Sequence, residues 1–378
     1  MIYLDYAAAA PVRKEIRKAV AEAEIYFANP SSTHNAGKKA KEILEVSREK
    51  IKKIMNVKAS DKIIFTSSGT ESVNLAIKGV AFAYKKKGNH IITSKVEHKA
   101  MLESCRFLEQ EGFTVTYVGV DKYGKVNPKA VEKAITSKTS LISIMYANNE
   151  VGTIQPITEI AAIARKHKVL FHTDACQAGY LNLDVQDLGV DLLTLNSNKI
   201  SGPKGAGLLY VKEEIAIQSL IHGGGQEYGL RSGTENVPAI VGFAKALELA
   251  QQEKQKENKR LQELRDYFIA TVQERIPNTF LNGHPTERLS NNAHLSFEGV
   301  EAETVLSYLN NQMIYASAGS ACTANEIEIS HILTAMKIPE KLARGSIRFS
   351  LGKETTKKDV DKVVTVLAKV ILSLRKVS

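Results

Sequence analysis

Between residues 62 and 211 the chain alternates short β-type apolar runs with amphipathic helical ones, and this pattern limits the fold more than any other feature. "KIIFTS" (62–67) reads as a strand and "TESVNLAIKGVAFAYKKK" as the helix after it. "HIITS" (90–94), a helical stretch near 98–111 and "FTVTYVGV" (113–120) repeat the pattern. "SLISIMYA" (140–147), the helix "ITEIAAIARKHK" (157–168), "VLFHTDA" (169–175), "DLLTLN" (191–196) and "GLLYV" (207–211) complete it. Strands separated by helices of this length predict an α/β fold with a mostly parallel sheet covered on both faces. Ligands of such sheets sit beyond the carboxyl ends of the strands. After Gly233 the pattern changes. Residues 237–275 read as one long polar-faced helix, followed by short strands "AHLSF" (293–297) and "SIRFS" (346–350) and helices at 301–311 and 356–374. These predict a smaller α+β domain. The expected division is 12–255 for the large domain and 1–11 with 256–378 for the small one. The aperiodic stretch 317–330 reads as a long loop of the kind that often carries function.

The length of 378 residues favours two domains. No apolar run approaches the ~20 residues of a membrane helix. The opening "MIYLDYAAAAPVRKE" has Asp5 inside its apolar part and no basic leader, so a secretory signal is not expected. The cysteines are Cys105, Cys176 and Cys322, an odd number, far apart and without C-x-x-C. A disulfide framework and a cysteine zinc site are therefore not expected, no metal site is assigned, and a cytoplasmic location is. The formal net charge is +10, but the basic residues are dispersed and no nucleic-acid module accompanies them. Nucleic acid is not expected as the primary ligand.

Polar residues gather just past the predicted strands. "TSSGTES" (66–72) puts Gly69 and Thr70 at the start of a helix, where free N–H groups and the helix dipole suit a phosphate, or simply a helix cap. "VEHKA" puts His98 at the next strand end, and "YANNEVG" puts Asn148 and Asn149 at another. "HTDACQ" ends an apolar strand on Asp174, where a lone carboxylate would be costly. "NSNKISGPKGAG" (196–207) then brings two lysines, Lys199 and Lys204, of which Lys199 is nearer the strand end. A phosphate cradle, a lysine, a buried acid and an imidazole along one sheet edge are what pyridoxal 5′-phosphate needs. The lysine holds its aldehyde and the acid keeps its ring nitrogen protonated.

These residues belong to a longer series of blocks: "YLDYAAAAP", "NPSSTHNAG", "FTSSGTESVNLAI", "EHKA", "ANNEVGTIQPI", "HTDACQ", "NKISGPKGAGLLYV", "HGGGQEYGLRSGTENV", "LNGHP", "SAGSACT" and "SIRFSLG". In this order they resemble the NifS/IscS-type cysteine desulfurases, within the class V, fold-type I pyridoxal-phosphate enzymes. The resemblance implies that Lys199, and not Lys204, carries the cofactor. It gives the phosphate to Gly69 and Thr70, ring stacking and proton transfer to His98, and the ring nitrogen to Asp174. It gives the ring hydroxyl region to Asn149 and Gln177, and the substrate carboxylate to Arg348 with Asn149. Thr234 would reach the phosphate of a second subunit, implying a homodimer. The chain departs from the family at Asn196 and Asn198, where Ser and His are usual, and at Ala9 and Ala10, where the family commonly has Thr–Thr. The two asparagines can still donate to a phosphate.

The "SAGSACT" loop resembles the group I form, so Cys322 would be the thiol that takes sulfur from L-cysteine as a persulfide, leaving L-alanine. Cys105 and Cys176 read as packing residues. The expected sulfur acceptor is an iron–sulfur cluster scaffold or a thiolation protein. The competing expectations are a selenocysteine lyase-like enzyme and a sulfur-assembly platform without turnover.

Overall fold

The computed structural model describes residues 1–318 and 329–376. Twelve strands are described: β1 (Ile2–Tyr3), β2 (Lys62–Thr66), β3 (His90–Ser94), β4 (Thr114–Val118), β5 (Thr139–Ser143), β6 (Leu170–Asp174), β7 (Leu192–Asn196), β8 (Gly207–Val211), β9 (Thr279–Asn282), β10 (Asn292–Phe297), β11 (Ile314–Tyr315) and β12 (Ser346–Ser350). The helices among the described residues are α1 (Lys14–Ala23), α2 (Asn35–Ile54), α3 (Gly69–Tyr84), α4 (Lys99–Gln110), α5 (Pro128–Ala134), α6 (Ile157–Lys166), α7 (Val185–Leu188), α8 (Val237–Arg275), α9 (Ala302–Asn311), α10 (His331–Ala335), α11 (Glu340–Ala343) and α12 (Lys357–Leu374). The strands expected in the middle of the chain form as expected, each within a few residues of its apolar run; the strand in "SLISIMYA" ends at Ser143, although Ile144 and Tyr146 N–H still donate to β6 at His172 O and Asp174 O. Helices α1 and α2 were not among the elements read from the sequence.

The seven-stranded sheet has the order β2-β8-β7-β6-β5-β3-β4. It is parallel except at β8, which runs antiparallel to both β2 and β7. Residues 197–206 are too few for a helical crossover, so the chain must turn straight back from β7 into β8. That return includes the one-turn 3₁₀ segment Asn198–Ile200. The sheet is apolar on both faces, as a covered parallel sheet must be. Along the strands, Ile63, Phe65, Leu193, Leu195, Leu208 and Tyr210 fall in one core. Their neighbours Ile64, Leu192, Leu209 and Val211 fall in the other, with α3 and α4. This alternation is the two-residue period of a strand.

A third core surrounds the antiparallel sheet β12-β10-β9 and the parallel pair β1-β11. Helix α8 joins it to the large sheet: Val237 to Ala250 pack in the core that holds Ile63 and Phe65, and Leu261 to Val272 in the third core. The N-terminal residues Ile2 and Leu4 are buried in this third core. The segment after them runs across to the edge of the large sheet, where Ala10 N–H donates to Asn198 O at 2.9 Å. Among the described residues, no helix is long and apolar enough to cross a membrane.

Candidate active site

The carboxyl ends of β2, β3, β5, β6 and β7 share one edge of the large sheet, and the loops leaving them enclose a cavity of about 440 Å³. Gly69, Thr70, His98, Asn149, Asp174, Gln177, Asn196, Asn198, Lys199 and Arg348 all line it. Thr234 and Lys204 do not line it, and both are exposed. Cys322 lies outside the described residues. The sequence reading missed the walls given by Ala7, Ala8, Val73, Met145 and Ser317.

Each lining side chain is set by local structure. Ser68 caps α3, accepting from Glu71 N–H at 3.2 Å, so Gly69 and Thr70 form the first helical turn. Gly69 has no room for a side chain: a Cβ there would lie 2.6 Å from Cys176 Sγ. Gly207 faces the same turn, where a Cβ would come within 2.5 Å of the Ser68 carbonyl carbon. His98 caps α4, its Nδ1 accepting from Ala100 N–H at 3.1 Å. That bond leaves a neutral ring with its proton on Nε2. Of the two asparagines after β5, Asn148 is structural. Its amide donates to Val96 O at 2.9 Å, and its Oδ1 accepts from Glu150 and Val151 N–H, each at 2.9 Å. Asn149 faces the cavity instead. Gln177 donates to Ala7 O at 3.0 Å.

Lys199 donates a short bond to the carbonyl of Ala8. Burial draws its ammonium below the usual lysine range; Arg348 adds to this, while Cys176, Asp5 and Asp174 oppose it. Burial likewise lowers the His98 imidazole against the pull of Asp174, with Lys199 and His331 assisting the fall. Cys176 was expected only to pack, but its thiol forms part of the cavity wall. Burial, with Asp174 beside it, pushes that thiol well above its ordinary range, so it stays protonated. Cys105 is wholly buried in α4, its thiol pushed up by burial to about 12. Behind the site, burial raises the Glu97 carboxyl to about 8 despite bonds from Ser94 and Met145.

The lining fits pyridoxal 5′-phosphate. Asp174 is 8% exposed and accepts from Cys176 N–H at 2.9 Å, yet it has no cationic partner among the described residues. A protonated ring nitrogen supplies one. Asn149 Oδ1 and Asn196 Oδ1 are buried without a hydrogen-bond partner, as polar atoms awaiting a ligand would be. The α3 N-terminus, with a glycine that keeps its backbone open, suits the phosphate.

The doubly covered α/β sheet and this edge define a pyridoxal-phosphate enzyme. The family description "Aminotransferase class-V" matches residues 2–363. The "Cysteine desulfurase IscS" of Dictyoglomus turgidum is 51% identical over 379 residues, spanning 100% of this chain and 96% of that protein. A solved "NIFS-like protein" superposes with a TM-score of 0.92 at 37% identity, covering 98% of this chain and 99% of the other. A structure described as "SspA in complex with cysteine" has a TM-score of 0.81 at 38% identity, covering 93% and 99%. The chain belongs to the aminotransferase class-V family.

Proposed function

We propose that the protein is a cysteine desulfurase: it takes sulfur from L-cysteine, releases L-alanine and carries the sulfur as a persulfide on Cys322. The carrying observation is that Lys199, Asp174, His98 and Arg348 converge on one cavity, although they come from four separate segments of the chain. The relative solved with cysteine is in keeping with that substrate.

Pyridoxal 5′-phosphate, when bound, supplies an electron sink for charge developing at the substrate Cα. Asp174 holds the proton on the ring nitrogen. The turn at Gly69 and Thr70 binds the phosphate together with Asn196 and Asn198, and His98 covers the ring. Asn149 and Gln177 serve the ring hydroxyl. Arg348 takes the substrate carboxylate, assisted by Asn149. Lys199, its proton affinity lowered by burial, removes the Cα proton. The Cys322 thiolate then attacks the substrate sulfur, and the carbon–sulfur bond breaks with its electron pair left on carbon. His98, whose Nδ1 accepts from Ala100 N–H and whose proton is therefore on Nε2, assists in returning a proton to the product.

We assign Thr234 to the phosphate of a second copy, which makes the active unit a homodimer. Arg231 in the same loop bonds Glu71 of α3 at 2.7 Å, which ties this loop to the phosphate turn. Residues 12–255 would form the large domain, with 1–11 and 256–378 forming the small one. A cytoplasmic location and an iron–sulfur scaffold or thiolation protein as acceptor complete the reading. The test is to incubate the protein with L-cysteine and a thiol reductant and measure alanine and sulfide together. Equal, catalytic yields of both are expected. Sulfur bound without alanine would leave only a carrier, and no product at all would overturn the reading.

A further inference from the structure

Arg348 lies mid-strand in β12 with its side chain only 5% exposed. A guanidinium this buried needs compensation. Its Nη2 donates to Asp5 Oδ1 at 2.8 Å and its Nη1 to Asn149 O at 2.9 Å, while its Nε is buried without a partner. Asp5 is thus the fixed counter-ion of the residue to which the preceding section gives the substrate carboxylate.

The position of Asp5 is firmly set. Ser350 N–H donates to Leu4 O at 2.7 Å, Tyr6 N–H to Ser350 O at 3.3 Å, and Ala7 N–H to Ser350 Oγ at 2.9 Å. The Tyr3 hydroxyl donates to Asp5 O at 3.0 Å. The N-terminal segment is therefore stitched to the strand that carries Arg348, on both sides of Asp5. The same segment gives the Ala8 carbonyl to Lys199.

We infer that Asp5 is a specificity-determining positioning residue: it aims Arg348 at the cavity, and its charge holds down the affinity for amino-acid carboxylates so that the product can leave. This rests on the reading that Arg348 binds the carboxylate. A ligand carboxylate must share Arg348 with a resident one, and two like charges within a few ångströms oppose each other. Orientation and charge act with opposite sign, so two substitutions separate them. Asp5→Asn keeps a carbonyl oxygen for Nη2 and removes the charge. Asp5→Ala removes both, leaving Nη2 without its partner.

The test uses cofactor-loaded wild type, Asp5→Asn and Asp5→Ala, with L-alanine as a probe that is not consumed. Binding is followed by calorimetry, with ethylamine as a probe lacking the carboxylate. Asp5→Asn is expected to bind L-alanine about tenfold more tightly than wild type, and Asp5→Ala about tenfold more weakly. Ethylamine should distinguish none of the three. The KM for L-cysteine should fall in Asp5→Asn without a rise in kcat. L-alanine binding in Asp5→Asn that is weaker, or within twofold of wild type, overturns the inference. If Asp5→Ala does not fold, the sign for Asp5→Asn decides alone. If wild type retains its cofactor absorbance yet binds L-alanine no better than ethylamine, the carboxylate reading of Arg348 fails first and takes this inference with it.

Discussion

Gly69→Ala tests the packing of the first turn of α3 against the floor of the cavity. The new Cβ would sit 2.6 Å from Cys176 Sγ and 3.5 Å from Asn196 Cβ. The second distance is ordinary contact; the first requires one group to move. Cys176 is held by its own backbone bond to Asp174, so the strain falls on the first turn of α3. Overpacking of this kind costs about 1–3 kcal/mol. Alanine returns part of that as a better helix former, less than about 1 kcal/mol in a first turn. The net loss is about 1–2 kcal/mol. For a chain of this length each kcal/mol lowers Tm by about 1–2 °C. Cys176→Ala removes the obstructing sulfur and by itself leaves a small cavity, costing about 1 kcal/mol. The double variant should therefore be more stable than the sum of the single losses by at least about 1 kcal/mol. Thermal melts of the four proteins give the stability cycle, and equilibrium dialysis of pyridoxal 5′-phosphate gives cofactor retention. Gly69→Ala should weaken retention, and the double variant should regain it. A Gly69→Ala protein that melts and binds cofactor as wild type does, or a double variant no better than Gly69→Ala, would refute the reasoning.

Lys199→Ala should abolish the yellow absorbance of the lysine-linked cofactor, whereas the exposed Lys204→Ala should keep it; the spectra of the two purified variants decide. Cys322→Ser should retain cofactor and lose desulfuration by orders of magnitude, as loss of a covalent nucleophile does, and mass spectrometry after one turnover should find the added sulfur on the peptide containing Cys322. Cys105→Ser should keep most of its activity, because that thiol is wholly buried and pushed up to about 12. Stability should also depend on pH through two buried groups. His172 is held neutral by burial, with its pKa lowered from 6.5 to about 4, so the unfolded chain takes up a proton first and stability falls as pH drops through that window. Glu97 keeps its proton to about 8 in the folded chain against 4.5 unfolded, so stability falls as pH rises between those values. Glu97→Gln should flatten the fall of Tm between pH 4.5 and about 8, and an unchanged slope there would count against a protonated Glu97.

The sheet was legible in the sequence because burial leaves a periodic record. The runs at 62–67, 90–94 and 207–211 are apolar on both faces, and they became strands covered on both faces. The reversed direction of β8 could have been foreseen from residues 197–206, which leave no length for a crossover helix. Side-chain direction within a loop leaves no such record. Asn148 and Asn149 are identical letters; the resemblance chose Asn149, but the physical reason is visible only in the bonds of Asn148 to residues 96, 150 and 151, which leave Asn149 to face the cavity. Cys176 reads as packing because it sits beside a strand end and cysteine is commonly buried as a small hydrophobe, yet the absence of a side chain on Gly69 leaves room for its sulfur in the wall. Asp5 is the extreme case. In the sequence it marks only a break in an apolar opening, while its partner lies 343 residues away. No local pattern can encode a contact of that separation. It exists because β1 joins β11 and the following residues join β12, which brings the first residues of the chain to Arg348. The charge balance around Arg348 is thus a property of the completed fold, and it should be lost whenever the N-terminal segment detaches, even with every residue named from the strand ends still in place.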